Sequence, residues 1–192
     1  VIFFAHDLPR IDTALSEFRK PVITLLAANE KIIAKVGEVR GTIVQYRDLP
    51  VYLPQAIIAT EDRRYFDHFG IDLVGITRAA IANIRAGRII QGGSTLTQQA
   101  AKNLFLSPER TVKRKVQEIL LALWLERNFT KHQIFTIYLN RVYLGAGTYG
   151  VEAASKKYFG KSARSINLYQ SALIAGLLKA PSKLNPLINP KG

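Results

Sequence analysis

Apolar residues that recur every three or four positions predict helices along most of this chain. Leu53, Ile57 and Glu61 share one helical face, and Pro54 suits the first turn of that helix. The face is apolar until it reaches the carboxylate of Glu61. This stretch therefore predicts a partly buried helix that ends in an acidic side chain, and the fold class that we expect is mainly α.

The remaining helices are predicted from capping residues, glycines and prolines at the ends of helical patterns. An unbroken apolar run at 119–125 implies one helix that is buried on all sides. The others are expected from about 73 to 86 between Asp72 and Gly87, from Ser94 onward, from a capping box at Thr130 and Gln133 to 140, from about 151 to 159, and from Asn167 and Gln170 to near Pro181.

The pattern near the N-terminus is different. Apolar stretches at 22–26 and 32–36 predict two strands of a hairpin that ends at Gly37, and a third extended piece is expected from 42 to 46. The apolar tip at 1–4 is either the end of a removed membrane anchor or an ordinary helix contact. We therefore divide the chain into an extended, hairpin-containing segment at 1–48 and a helical domain at 49–192.

Composition narrows the class of partner. Lys and Arg number 27 against 14 Asp and Glu, a formal net charge of +13, so the partner is expected to be anionic: nucleic acid, an anionic membrane or a phosphorylated substrate. The chain has no cysteine, which excludes disulfides and thiolate zinc sites. Its three histidines are scattered and argue against a transition-metal site, whereas a hard cation held by carboxylate and substrate phosphate is compatible with the sequence.

Glu61 is the candidate base. A carboxylate at the end of a buried face is partly desolvated, as a general base that works near neutrality requires. The adjacent Asp62 points elsewhere on the helix and is expected to stay ionised. For Glu61 and Asp62 alone, a solvated acidic pair at a helix end is the simpler interpretation, and the neighbouring motifs change that balance.

The segment at 92–103 offers polar groups that suit a sugar phosphate. After Gly92 and Gly93, Ser94 is a good helix start, and one side of the following helix carries hydroxyl, amide and ammonium groups from Thr95, Gln98, Gln99 and Lys102. A surface helix carries Glu and Lys more often than this combination. We therefore interpret the face as a binding surface for sugar hydroxyls and phosphate oxygens.

A second acid, Glu118, lies one helical turn from Arg114 and Lys115. It is either one partner of an exposed ion pair or a second active-site acid beside cations that contact a phosphate. The helix predicted at 73–86 presents a similar pair of alternatives. Its arginines, including Arg78, lie among isoleucines, which is typical either of a surface that rests on anionic lipid or of an amphipathic core helix.

Taken together, these motifs resemble the family 51 glycosyltransferases, the peptidoglycan polymerases of class A penicillin-binding proteins and monofunctional transglycosylases. Five segments resemble the family's motifs in order: EDRRYFDHFG at 61–70, GGSTLTQQ at 92–99, RKVQE at 114–118, YLNRVYLG at 138–145 and ALIAGLL at 172–178. One departure is Gln170, where the family pattern has Glu; Gln serves a capping box equally well.

The resemblance implies a lysozyme-like, two-lobed fold with a helical head and a smaller membrane-contacting jaw near 71–92. It implies inverting polymerisation of lipid II with release of undecaprenyl diphosphate, on the outer face of a bacterial cytoplasmic membrane. Glu61 and Glu118 are the implied catalytic residues. The substrate-binding residues expected are Asp62, Arg78, Ser94, Thr95, Gln98, Gln99, Lys102, Arg110, Arg114, Lys115 and Asn140.

Cations replace a strong acid in this scheme, because a diphosphate leaves as a stable anion. No cofactor is required for the chemistry, and a divalent cation such as Mg or Mn at the diphosphate is compatible with it. The expected partners are lipid II, the lipid-linked glycan, an anionic membrane surface and a transpeptidase domain after residue 192, but no nucleic acid.

Two alternatives remain open from the residues. A lysozyme-like lytic hydrolase shares the Glu chemistry but has no need of several Lys and Arg side chains beside the acids. A non-enzymatic basic module that binds a polyanion or a membrane would be indifferent to Glu61→Gln and would lose binding steeply with salt.

Overall fold

The computed structural model describes the backbone at 23–26, 32–36, 39–106 and 111–187, and the side chains from 41 onward within those ranges. This part of the chain is mainly helical, as predicted. Its α-helices are α1 (Tyr52–Glu61), α2 (Leu73–Ala86), α3 (Leu96–Phe105), α4 (Val112–Asn128), α5 (Lys131–Arg141), α6 (Val151–Phe159) and α7 (Leu168–Lys179). Short 3-10 turns lie at Tyr46–Asp48 and Ala163–Ser165.

The predicted hairpin is confirmed. Strand β1 (Ile23–Leu26) pairs antiparallel with β2 (Ile32–Val36), with Ile23 opposite Val36 and an irregularity between Leu25 and Leu26. Its expected end at Gly37 and the apolar tip at 1–4 lie outside the described residues. A short strand that the sequence pattern did not predict, β3 (Val39–Arg40), pairs in parallel with β4 (Thr148–Tyr149).

The third extended piece expected at 42–46 is wrong. Residues 41–45 are irregular and lead into the 3-10 turn. The backbone of Val44 is bound by a side chain instead of a strand, because its N–H donates to Asn140 Oδ1 at 3.0 Å and its C=O accepts from Asn140 Nδ2 at 2.8 Å. One amide side chain thus supplies the two bonds that a neighbouring strand would have made.

The fold divides into two compact units. Among the described residues, the first unit contains 57–138 and the second contains 139–187 together with the described parts of 23–56. The first unit packs around buried aromatic rings: Tyr65 lies 5.6 Å from Phe135, whose ring stacks on Tyr138 at 6.1 Å between centroids. All three rings are fully buried. The boundary predicted after residue 48 and the predicted jaw remain predictions.

Helix ends in the first unit follow the sequence signals with one correction. Helix α2 begins and ends where predicted, and Gly87 closes it in the left-handed region at φ 61°. The N-cap of α3 is Thr95 and not Ser94. Thr95 takes this place because Gln98, three residues on, completes a capping box with it, and Ser94 has no such partner at position 97.

Helix α4 is not buried on all sides, contrary to prediction. Leu121 and Leu125 are buried, whereas Leu123 and Trp124 are only partly covered. Trp124 lies against the edges of Phe105 and Phe129, with ring centroids at 6.4 and 5.8 Å. A helix on the side of a small unit buries one face, so part of an unbroken apolar run is covered by neighbouring side chains near the surface.

The second unit holds α6 and α7 over their predicted ranges. Asn167 and Gln170 form the predicted capping box, in which Gln170 Oε1 accepts from the Asn167 N–H at 3.1 Å. Gly150 has φ 84°, and a Cβ there would lie 2.8 Å from the carbonyl oxygen of Asn140. Glycine is therefore required where the chain passes the end of α5. Within the described parts of the chain, no helix is both long and apolar enough to span a bilayer.

Candidate active site

Glu61 ends α1 as predicted, on the face whose earlier members Leu53 and Ile57 are fully buried. Its side chain is partly exposed and accepts a hydrogen bond of 2.8 Å from Gln99 Nε2 of α3 to its Oε2. The bond leaves the other carboxylate oxygen, Oε1, able to accept a proton. Gln99 is therefore the residue that orients the candidate base, a contact that the sequence pattern did not reveal.

Asp62, the next residue, faces the protein interior. It is 7% exposed, and both of its carboxylate oxygens lie 3.0 Å from His68 Nε2. Its Oδ2 also accepts the N–H of Leu96, the first residue of α3, at 2.9 Å. Asp62 thus attaches the start of α3 to the segment that follows Glu61, and its predicted contact with substrate remains a prediction.

Thr95 and Gln98, also predicted to bind substrate, are each 2% exposed. Thr95 Oγ1 donates to the carbonyl oxygen of Gly70 at 2.7 Å and accepts the Gln98 N–H at 3.2 Å. Gln98 Oε1 accepts in turn from the Thr95 N–H at 3.3 Å. These side chains fix the N-terminus of α3, whereas Gln99 and Lys102 on the same helix remain partly exposed.

Glu118, the second predicted acid, pairs with a cation. Its side chain is almost fully buried and its Oε1 is bonded to Lys115 Nζ, three residues earlier on α4. Lys115 Nζ also donates to Ser94 Oγ at 3.0 Å and to Gln98 Oε1 at 3.3 Å. The ion pair is therefore not an isolated surface pair: it links α4 to the polar start of α3.

Lys102 connects the two acids electrostatically. Burial lowers the pKa of Lys102 below its usual range, and the positive charges of Arg114 and Lys115 lower it further, while Glu118 and Glu61 act in the opposite direction. An ammonium group whose pKa responds to both carboxylates lies within electrostatic range of each. The carboxylates of Glu61 and Glu118 and the cations thus interact electrostatically with Lys102 in the first unit.

Three further residues were predicted to bind substrate, namely Arg78, Asn140 and Arg110. Arg78 is exposed on α2. Asn140 belongs to the second unit, where its side chain is bonded to Val44. Arg110 lies outside the described residues. Their roles in binding remain predictions.

A hydrogen-bonded network that the sequence analysis did not predict lies on the side of α3 opposite Gln99. It consists of Thr97, Glu126 and Lys131. Glu126 Oε1 accepts from Thr97 Oγ1 at 2.6 Å and from Lys131 Nζ at 2.7 Å. Burial, followed by the carboxylates of Glu126 and Asp62, raises the pKa of the adjacent Tyr65. A sequence signal did exist, because Glu126 lies eight residues after Glu118 and so shares its buried helical face.

The acidic side chains of the described residues bear on whether the protein alone could hold a divalent cation. Among the described residues, no three His, Asp or Glu side chains converge as a metal site. The Glu118 carboxylate is already bonded to Lys115. The described residues do not by themselves form a metal-binding site.

Helix α2 presents aliphatic side chains to solvent. Leu73 and Ile84 are 73 and 79% exposed, and Gly75 and Ala79 are the buried residues of the helix. Ile89, in the segment after the helix, is 88% exposed. An open groove of about 580 Å³ on this helix is lined by apolar side chains and two arginines, namely Leu73, Val74, Thr77, Arg78, Ile81, Ala82 and Arg85. Helix α2 therefore exposes a basic and aliphatic surface, and its contact with anionic lipid remains a prediction.

Comparison with known proteins identifies the chain. A family model described as Transglycosylase matches residues 29–192. The chain belongs to the transglycosylase family. Penicillin-binding protein 1A of Aquifex aeolicus (strain VF5) is 51% identical to this transglycosylase over 164 residues, which cover 85% of this chain and 23% of that protein. Penicillin-binding protein 1A of Vibrio cholerae is 45% identical over 96% of this chain and 22% of that protein.

A solved structure agrees. The crystal structure of penicillin-binding protein 1A from Haemophilus influenzae matches this transglycosylase with a TM-score of 0.51 at 28% identity, over 90% of this chain and 16% of that one. The lysozyme-like transglycosylase fold and the predicted enzyme class, a peptidoglycan glycosyltransferase, are thereby confirmed. The chain spans 23% of the length of the Aquifex aeolicus relative and 22% of the length of the Vibrio cholerae relative, which is less than a quarter of each.

Proposed function

We propose that this domain polymerises lipid II into glycan strands, with the growing lipid-linked glycan as donor and lipid II as acceptor. The 4-hydroxyl of the acceptor N-acetylglucosamine attacks the anomeric carbon of the donor with inversion. The new C–O bond forms as the bond to the diphosphate breaks, the hydroxyl proton passes to Glu61, and undecaprenyl diphosphate leaves as the anion.

The observation that carries the proposal is the arrangement along α3. One helix bonds the carboxylate of Glu61 through Gln99 and reaches the Lys115 and Glu118 pair through Gln98. A base bonded to one residue of this helix and a cation bonded to the next suit an attacking hydroxyl and a departing diphosphate.

Three cations, Lys102, Arg114 and Lys115, are proposed to stabilise the negative charge that develops on the diphosphate. Glu118 is proposed to hold Lys115 in place, because a buried carboxylate bonded to that ammonium restrains it. The positive charge of Lys115 would thereby compensate the negative charge that Glu118 places near the phosphates. A divalent cation at the diphosphate is compatible with this scheme if phosphate oxygens supply most of its ligands.

The proposed partners are lipid II, the lipid-linked glycan and an anionic membrane surface on the outer face of a bacterial cytoplasmic membrane. The exposed aliphatic side chains and arginines of α2 support the membrane contact. The names of the relatives, penicillin-binding protein 1A, support a transpeptidase domain in the same protein.

The test is polymerisation of labelled lipid II by the 192-residue chain in detergent, with glycan length read on a gel. The parent is expected to form polymer and Glu61→Gln to form none, because the amide cannot accept the proton. Asp67→Asn is the matched control, since it removes an exposed carboxylate from the same segment. Soluble muropeptides in place of polymer, or a folded Glu61→Gln variant with parental activity, would contradict the proposal.

A further inference from the structure

Glu126 occupies an unfavourable position for a carboxylate. It lies in the last turn of α4, where the helix dipole disfavours negative charge, and its side chain is 3% exposed. The ion pair with Lys131 offsets part of that cost, yet an apolar pair of similar volume at such a site is often at least as stable. Stability alone therefore does not account for this residue, and the groups that it binds indicate another role.

Its first partner, Thr97, lies on α3 two residues before Gln99. Two residues on an α-helix are about 200° apart, so Thr97 and Gln99 point to nearly opposite sides. The bonds from Asp62 and Gly70 act on Leu96 and Thr95 at the tip of α3. The bond between Thr97 and Glu126 acts instead on the side of the helix opposite Gln99.

Glu126 also contacts the segment that follows Glu61. Gly70 has φ 77°, and a Cβ there would lie 3.1 Å from Glu126 Cγ and 3.3 Å from the carbonyl oxygen of Ala122. The backbone of Gly70 is therefore packed closely on α4 at Glu126. One side chain thus touches both parts of the chain that present the base and its amide partner.

Lys131 holds this carboxylate in turn. Its ammonium lies 4.6 Å from the centroid of the Tyr65 ring, and the Tyr65 hydroxyl donates to the Lys131 carbonyl oxygen at 2.7 Å. The buried aromatic ring and the ion pair restrict where Lys131 Nζ, and hence Glu126, can lie.

We propose that Glu126, acting through Thr97, is a positioning residue that sets the rotation of α3 so that Gln99 holds Glu61 in place for the reaction. The proposal rests on the role of Glu61 given under Proposed function. It assigns Glu126 and Thr97 no contact with substrate, so it predicts a change in kcat without a matching change in KM.

The test exchanges single groups on Thr97 and compares kcat and KM for lipid II. Thr97→Val replaces the hydroxyl with a methyl group and is expected to lower kcat about tenfold or more while KM stays within about twofold. Thr97→Ser keeps the hydroxyl and is expected to restore kcat. Combined with Gln99→Leu, Thr97→Val should cause no further loss, because both act on one contact.

Two further variants separate positioning from stability. Glu126→Gln keeps an oxygen that accepts from Thr97 but loses the charge that pairs with Lys131, so it is expected to lower stability and largely preserve kcat. Glu152→Gln is the matched control in the second unit, where an equally buried carboxylate accepts from Ser162 at 2.9 Å. It should also lower stability without changing kcat.

A readout that is independent of activity completes the test. In protein labelled with ¹⁵N at glutamine, the Gln99 side-chain amide signal, assigned by its loss in Gln99→Leu, should move toward the position of exposed glutamines in Thr97→Val but not in Thr97→Ser. Parental kcat and an unmoved amide signal in Thr97→Val would overturn the proposal. If the chain makes no polymer, the proposed function fails and the amide signal alone decides this inference.

Discussion

Helices α2 and α3 lie in the same unit and are built for opposite purposes. Helix α3 is only partly apolar, yet its N-terminal half is buried, and it is bonded through side chains to the segment after Glu61 and to α4. Helix α2 is rich in isoleucine and alanine, yet it buries little more than Gly75 and Ala79. Its N-cap Asp72 makes no capping bond with its side chain.

Polar side chains are therefore buried at the start of α3, whereas apolar side chains are exposed on α2. A rigid polar helix keeps groups that react with substrate at fixed positions. An apolar helix that stays exposed keeps its free energy of burial available for a surface outside the protein. In the proposed function, the unit uses α3 to hold side chains at fixed positions and α2 to contact a membrane.

The largest expected contrast is in folding stability. Leu96→Ala on α3 removes a fully buried side chain and is expected to lower the free energy of unfolding by about 2–5 kcal/mol. Ile84→Ala on α2, where the side chain is 79% exposed, is expected to change it by less than about 0.5 kcal/mol. Urea denaturation measures both, and equal losses would mean that α2 is packed as tightly as α3.

The second contrast is in kcat for the proposed glycosyl transfer. Lys102→Met on α3 is expected to lower kcat by about 10²–10³-fold, because it removes one of the cations proposed to act on the diphosphate. Since burial lowers the pKa of Lys102, its ammonium loses its proton at lower pH than an ordinary lysine, and activity that needs the charge falls as pH rises through that pKa. Lys102→Arg stays charged, so the alkaline limb of its pH profile should move to higher pH. An unmoved limb would show that another group sets it.

The smallest contrast is in membrane binding. Arg85→Met on α2 is expected to weaken binding of the chain to vesicles that contain anionic lipid by about 1 kcal/mol, which is roughly fivefold. Activity on lipid II in detergent should stay close to that of the parent. Flotation with and without anionic lipid measures the effect. A loss that is the same on neutral vesicles would assign Arg85 a role other than contact with anionic headgroups.

Helix positions were largely predictable because capping residues act locally. Gly87 ends α2, and Asn167 with Gln170 begins α7, as the sequence indicates. Ser94 was the wrong N-cap because two candidates stood side by side and the choice depended on which one had Gln98 three residues ahead. The segment at 42–46 was wrong because its partner, Asn140, is far away in sequence and acts through its side chain.

The candidate site was predictable in its residue types but not in its orientation. The sequence pattern selected Glu61, Gln99, Lys115 and Glu118. In the structure Gln99 is bonded to Glu61, and Lys115 is bonded to Glu118. It also treated the polar face of α3 as one surface, whereas Thr95 and Gln98 face inward. Helical periodicity gives the angle between residues on one helix, but not which of those directions leads to solvent.

The bond between Asn140 and Val44 has a consequence for synthesis on the ribosome. The two residues are 96 positions apart, and β3 likewise finds its partner only at Thr148–Tyr149. At about 5–20 residues per second, translation needs roughly 5–20 s to reach Asn140 after Val44 has been made. The N-terminal part of the second unit must therefore wait for its partners while the stretch from 57 to 138 emerges and folds between them.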